Sequence, residues 1–297
     1  MVASMMKRSW ATKLKMLCQI SVILDRHHIR WYADYGTLLG AVRHRGFIPW
    51  DDDLDISMFR EDYDRALDVL PVELPKHYQV AHWGKNYFSR EPVSAINNRE
   101  YLSIDPDNDI IAKEFYGNPY RDVIDLFPLD HVPTDAQETH DFLVIYRLLL
   151  SVLDNFENIE KYHLEKEYSS QIMSLLGYEL PSDNTFYQEV CRLISGVESM
   201  YSRDESAGVE NINNMASRKT IAIREYSWYS DIIWLPFETI MIPAPIGYSQ
   251  ILTSHYGTGW MSPINGTSRH DYPFYKKQHE LINTYRAANG LPELELP

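Results

Sequence analysis

Four carboxylates, Asp51, Asp52, Asp53 and Asp55, crowd five positions of the stretch GFIPWDDDLDISM, with apolar residues on both sides. Like charges this close repel, and burying them in an apolar strand costs several kcal/mol unless something positive compensates. The alternation in DLDISM predicts a strand with Asp53, Asp55 and Ser57 on one face and Leu54, Ile56 and Met58 on the other. Carboxylates two residues apart on one strand face suit a hard divalent cation such as Mg²⁺, which usually shares its shell with substrate phosphates. Mn²⁺ takes the same oxygen donors. Asp51 or Asp52 would extend the shell. A further acid, Asp125, stands in VIDLF, inside an otherwise buried strand. It could complete the ligand set or take a proton from an attacking hydroxyl.

Other readings of the acids compete with this one. A solvated turn explains Asp51 and Asp52 but not Asp55, which apolar residues separate from them. A calcium loop of the D-x-D-x-D type, starting at Asp51, wants Gly at its sixth position and Glu at its twelfth. Ile56 and Asp62 stand there instead. On the acids alone, the metal-binding Asp-x-Asp of a nucleotide-sugar glycosyltransferase stays open.

The elements upstream bear on that choice. IRWYADYG reads as a strand ending at Gly36, and TLLGAVRHRG as a short helix capped by Thr37 and ended by Gly46. A Gly followed by a hydroxyl residue at a helix start offers backbone N–H groups to phosphate oxygens. Arg43, His44 and Arg45 lie between that turn and the acids, and arginine suits bidentate phosphate contacts. Trp50 adjoins the acids, and aromatic faces bind cations.

Before this region, residues 9–28 read as an amphipathic helix with Ser9 as N-cap. After it, REDYDRALDVL reads as a helix, HYQVAHW as a strand and RDVIDLFPLD as a buried strand. Beyond Pro133 the chain turns helical up to Gly177 and again in NTFYQEVCRLISGVESMY. SRDESAGVENINN reads as an exposed loop, KTIAIREY and ETIMIP as strands, IGYSQILTSHYG as a short helix, and the tail ends helical. The fold class is α+β, a mixed sheet flanked by helices with a largely helical C-terminal region. The linear division places the catalytic core in residues 1–133 and a substrate or acceptor region in 134–297.

Composition narrows the partners. With 28 basic against 42 acidic side chains the net charge is −14. That argues against a protein living on nucleic-acid backbones, which usually carries a basic field. Cys18 and Cys191 lack CxxC or Cys/His spacing, so neither a disulfide scaffold nor a zinc site is expected, and a reducing cytoplasm fits. No run reaches the roughly 18–20 apolar residues that span a bilayer. The expectation is a cytoplasmic protein, with peripheral contact at the inner face of the membrane left open.

The combination of Gly-Thr helix start, Asp-x-Asp on the next strand and a third acid on a later one matches the nucleotidyltransferase superfold. More closely, WYADYGTLLGAVRHRGFIPWDDDLDISMFREDYDRAL resembles the LicD family of phosphocholine transferases, related to fukutin and fukutin-related protein. VIDLFPLD fits its later acid-bearing segment, and YGTGWMSP…SRHDYPFYKK its C-terminal motif. The resemblance is thin in the helical middle. It implies Mg²⁺-dependent transfer of phosphocholine from CDP-choline to a sugar hydroxyl of a surface glycan such as teichoic acid, lipid-linked or free, with release of CMP. Fukutin relatives use CDP-ribitol, so ribitol phosphate is the alternative cargo. On this reading Asp53, Asp55 and Asp51 bind metal, Asp125 is ligand or base, and Gly36 and Thr37 hold phosphate. His270 and Lys276 of the tail motif would return to contact phosphate or acceptor.

Overall fold

A computed structural model describes residues 4–87, 92–181, 183–217, 222–263 and 273–295. The chain forms two compact units. One comprises Met1–Ala81, Ala95–Phe127 and Trp228–Pro297; the other comprises His82–Ser94 and Pro128–Ser227. The linear division at residue 133 does not follow these units. Residue 133 is the last of a continuous strand, and the segment from Trp228 onward packs with the N-terminal unit.

In the first unit, α1 (Ser4–Arg26) buries Met6, Met16, Leu17, Ile20 and Leu24 along one face. It starts before Ser9, so Ser9 is no cap. Its hydroxyl is buried and donates to Asp122. After β1 (Tyr32–Ala33) and α2 (Tyr35–His44) comes β2 (Asp55–Phe59), which starts two residues later than the alternation predicts, leaving Asp53 and Leu54 before it; Ile56 and Met58 are fully buried, but Ser57 on the other face is buried as well. α3 (Arg60–Glu73) carries Glu61 and Asp62 in its first turn, where carboxylates favour the helix dipole, and buries Tyr63, Ala66, Leu67 and Leu70. β3 (Gln79–Ala81), β4 (Ser94–Asn97), α4 (Ile110–Glu114) and β5 (Val123–Pro133) follow. The sheet runs β1-β2-β5-β4-β3, so both strands bearing the candidate acids are central neighbours. The Asp125 N–H donates to the Leu54 carbonyl at 3.0 Å, which fixes one acid strand against the other.

A second acid lies at the start of β5. Asp122, just before it, is fully buried, where it pairs with Lys13 and accepts hydrogen bonds from Ser9 and Asn118. A buried pair of this kind is tolerated because its remaining lone pairs are satisfied.

The second unit is mainly helical. Its helices are α5 (Ala136–Asp154), α6 (Phe156–Tyr162), α7 (Glu165–Leu176) and α8 (Phe186–Glu198). The Asp135 carboxylate caps α5, accepting the N–H groups of Gln137 and Glu138 at 2.8 and 2.9 Å. Phe142, Tyr146, Leu149, Ile172, Val190 and Ile194 belong to one core. SRDESAGVENINN is not an exposed loop. It contains β6 (Ser206–Glu210), antiparallel to β5 with Asp130 opposite Glu210, and leads into α9 (Ile212–Ser217). Its polarity misleads because Glu210 is buried against the buried Arg224, with contacts of 3.1 and 3.2 Å. Of KTIAIREY, residues 219–221 lie outside the described residues. The remainder forms an isolated bridge, Arg224 to Val209, and Tyr226 opens a 3-10 helix that runs to Tyr229.

The chain then returns to the first unit. β7 (Ile232–Phe237) and β8 (Ile240–Pro245) form an antiparallel hairpin, followed by α10 (Tyr248–Tyr256) and α11 (Tyr275–Ala288). β7 continues the strand pattern one element earlier than ETIMIP had indicated.

Candidate active site

The site is organised by the first turn of α2. The sequence placed the helix start at Thr37, but the helix opens at Tyr35 and its cap is Asp34, whose side chain accepts the Tyr35 N–H at 2.8 Å. Gly36 and Thr37 therefore lie inside the first turn, where backbone N–H groups have no intrahelical acceptor. The Thr37 hydroxyl is neither a cap nor turned to solvent. It is buried and accepts the Asp55 N–H at 2.8 Å. Tyr35 itself has φ +42°, a left-handed conformation that costs a bulky residue roughly 1–2 kcal/mol. At the other end, the left-handed residue is Arg45, at φ +57°, with its N–H on the Gly40 carbonyl. Gly46 serves a different need: a Cβ there would strike the Glu238 carboxylate, which also accepts the Phe47 N–H at 3.1 Å.

The acids converge beside this turn. A Cβ on Gly36 would sit 2.6 Å from Asp51 Oδ2, so the absence of a side chain makes room for that carboxylate. The carboxylates of Asp51, Asp52 and Asp53 each place an oxygen within 4.8 Å of the others. Asp55 is half-buried. Burial pushes its carboxyl well above the ordinary carboxylate range, reinforced by the charges of Asp53, Asp125, Asp51 and Asp34, in that order. Two overlapping acid groups thus share Asp51 and Asp53. Asp52 differs from the rest: it is 1% exposed and its Oδ2 accepts the Phe274 N–H at 2.6 Å. Asp52 thus anchors the C-terminal segment, whereas Asp51, Asp53, Asp55 and Asp125 form the remaining acid group beside the α2 turn. A set of oxygen donors whose mutual repulsion raises proton affinity fits a hard divalent cation.

The cations of the motif lie at the far end of α2. Gly36 and Arg43 are seven residues apart, roughly 10 Å along the axis. Arg43 donates to the Trp260 carbonyl at 2.9 Å, and burial lowers its proton affinity, partly offset by Tyr256. His44 is lowered by burial and then by Arg43, and stands edge-on to Trp50 with ring centres 6.0 Å apart. Arg45 is exposed. The structure therefore brings Arg43, His44 and Trp50 together at one helix end and Gly36, Thr37 and the acids at the other. Lys276 is exposed in α11. His270 lies outside the described residues. The tail motif nevertheless reaches the acids, through the Phe274–Asp52 bond. Lys13 Nζ, 4.2 Å from the centre of the Phe274 ring, holds that residue from behind.

Four residues at the site escaped the sequence reading: Asp34, Phe127, His255 and Phe274. Asp34 carried a signal, an Asp directly before a helix. Phe127 meets Tyr35 at 5.0 Å between ring centres, and His255 meets Tyr35 at 5.1 Å. No local pattern announces either contact.

Residues 28–133 match the model of the LicD/FKTN/FKRP nucleotidyltransferase domain. Across 250 residues the chain is 26% identical to the lipopolysaccharide cholinephosphotransferase LicD of Haemophilus influenzae, covering 82% of this chain and 87% of that protein. The region 28–133 carries the likeness to the LicD family. Other family likenesses are shorter. An uncharacterised protein of Rickettsia prowazekii is 49% identical over 60 residues, 20% of this chain and 23% of that protein. The human ribitol 5-phosphate transferase FKRP is 35% identical over 51 residues, 17% of this chain and 10% of that protein. The family domain spans both acid-bearing strands and the α2 turn. The α+β architecture is the one the family resemblance implied.

Proposed function

We propose that the protein moves phosphocholine from CDP-choline to a sugar hydroxyl of a cell-surface glycan, such as teichoic acid or lipopolysaccharide, releasing CMP. Named members of the family transfer phosphocholine or ribitol 5-phosphate, which makes this chain a phosphotransferase. The choice of choline is supported by the relative that matches along most of the chain. The observation that carries the reading is the convergence of Asp53, Asp125, Asp51 and Asp34 on Asp55, next to a helix start.

Asp51, Asp53, Asp55 and Asp125 would hold Mg²⁺, or Mn²⁺. Bound there, the ion supplies positive charge that neutralises the donor's diphosphate as CMP leaves. The first-turn amides of Gly36 and Thr37 receive phosphate oxygens, with the dipole of α2 behind them. Thr37 fixes the backbone of Asp55, and Asp34 fixes the turn. Asp125 takes the proton of the acceptor hydroxyl, which attacks in line at the phosphorus carrying choline. Arg43 and His44 contribute positive or polar character farther along α2, and Lys276 would contact phosphate or acceptor, as would His270, which lies outside the described residues. Positioning and charge neutralisation carry most of the rate. The acceptor's membrane linkage would be met peripherally, from the cytoplasmic face. No helix among the described residues is long and apolar enough to cross a membrane.

A donor screen tests this. CDP-choline, CDP-ribitol and UDP-sugars are incubated with the protein and glycan acceptor, with Mg²⁺ present or chelated, and CMP or UDP release is measured. Metal-dependent CMP release from CDP-choline is expected. UDP release from a nucleotide sugar would make the protein a glycosyltransferase instead.

A further inference from the structure

We propose that Tyr35, Phe127 and His255 form the subsite for the quaternary ammonium of the donor. The inference rests on the phosphocholine reading and names the residues that would enforce it.

Three observations carry it. The first is arrangement. The Tyr35 ring stands at 68° to Phe127 and 58° to His255, with centres 5.0 and 5.1 Å away. Steeply inclined ring faces suit a rounded trimethylammonium, whose charge is spread over its methyl groups and can be met from several directions. A flat base would be served by parallel faces. All three residues are half-buried, so their rings are packed without being sealed off.

The second is backbone strain. Tyr35 holds φ +42°, a region uncommon for any residue but glycine and an outlier for a bulky one. Such a conformation persists only where the surroundings over-determine it, and it concentrates at ligand sites. Here Asp34 receives the Tyr35 N–H, and Phe127 and His255 hold its ring.

The third is place. Tyr35 lies between Asp34, one of the carboxylates acting on Asp55, and Gly36, over which Asp51 sits. Phe127 is two residues beyond Asp125, so the two share a face of β5 while Ile124, Leu126 and Pro128 are buried. The rings therefore flank the acids from the helix side and the strand side.

The test measures calorimetric binding of CDP-choline, CDP-ribitol and CMP, all with Mg²⁺, to wild type and to Tyr35→Gly, Tyr35→Phe and Phe127→Leu. Tyr35→Gly relieves the backbone while removing the ring, which guards against a folding failure. Tyr35→Gly and Phe127→Leu should weaken CDP-choline binding about tenfold or more and leave CMP within about twofold. Tyr35→Phe should bind all three as wild type does. An equal loss for CMP, or an unchanged Kd for CDP-choline, overturns the subsite while leaving the phosphocholine reading intact. If wild type neither binds CDP-choline nor releases CMP from it, both fall together.

Discussion

The Thr37 hydroxyl accepts the backbone N–H of Asp55 at 2.8 Å, tying the first turn of α2 to the first residue of β2. A hydroxyl residue after Gly36 therefore serves the acid cluster directly, as well as any phosphate held by the turn. Thr37→Val keeps the shape but leaves a part-buried N–H without its acceptor, a loss of about 1–3 kcal/mol. We expect Thr37→Val to be less stable in urea by that amount and to turn over more slowly, and Thr37→Ser to match wild type. Unchanged stability with a raised donor KM would mean that the hydroxyl serves only the phosphate.

Gly36 is held to a different standard. In a helix, Gly→Ala ordinarily gains about 1 kcal/mol. Here the new Cβ would lie 2.6 Å from Asp51 Oδ2, so the carboxylate must move. Gly36→Ala should melt no lower than wild type yet lose metal-dependent turnover. A displacement of about 1 Å at a reacting centre can cost about a hundredfold. Circular dichroism melting beside CMP release checks both halves, and full activity would show that Asp51 tolerates the shift.

How far the sequence revealed this site depends on whether a signal was local. Alternation pointed to Asp53 and Asp55, of which Asp55 opens β2 and Asp53 lies just before it, and Asp125 stood out as one acid in an apolar run. Asp34 was readable by the same rules that assigned Thr37, but the aromatic run RWYA extended the strand over it. Phe274 and His255 reach the site only through contacts distant in sequence, and Phe127, though it shares a strand face with Asp125, meets Tyr35 only through the fold. The second unit misled for another reason. Glu210 and Arg224 are each buried because of the other, and a buried ion pair has the composition of a solvated loop. The linear boundary at 133 does not follow the two units, because the tail motif pointed back to the catalytic core while the division was still drawn along the chain.

Asp55 gives the site a pH signature. Burial first, then Asp53, Asp125, Asp51 and Asp34, make the folded protein bind this proton more tightly than the unfolded chain does. Where the native state holds the extra proton, stability falls as pH rises. In metal-free protein the loss should begin near the unfolded aspartate value of about 3.9 and continue up to the raised folded value. Mg²⁺ competes with that proton. Its stabilisation, read as Tm with and without chelator, should therefore be larger at pH 8 than at pH 5. Asp55→Asn should flatten the metal-free profile and remove the Mg²⁺ increment. A Mg²⁺ increment that persists in Asp55→Asn would move the metal away from this carboxylate.

Asp52 separates geometry from chemistry within the triple aspartate. Its oxygens lie as close to Asp51 and Asp53 as a shared ion would require. Yet Oδ2 is engaged by the Phe274 N–H at 2.6 Å, and the Phe274 ring lies beneath Lys13, itself paired with the buried Asp122. An asparagine at 52 keeps an oxygen for that N–H and gives up only the charge. If Asp52 anchors the tail, Asp52→Asn should retain turnover within a few-fold and the same Mg²⁺ dependence, while Asp52→Ala loses both stability and activity. Asp53→Asn, which leaves the anchor untouched, should abolish Mg²⁺-dependent turnover in a folded protein. Measuring CMP release against Mg²⁺ concentration for the three variants decides the matter. A strongly right-shifted Mg²⁺ curve in Asp52→Asn, or loss of turnover as in Asp53→Asn, would make Asp52 a ligand.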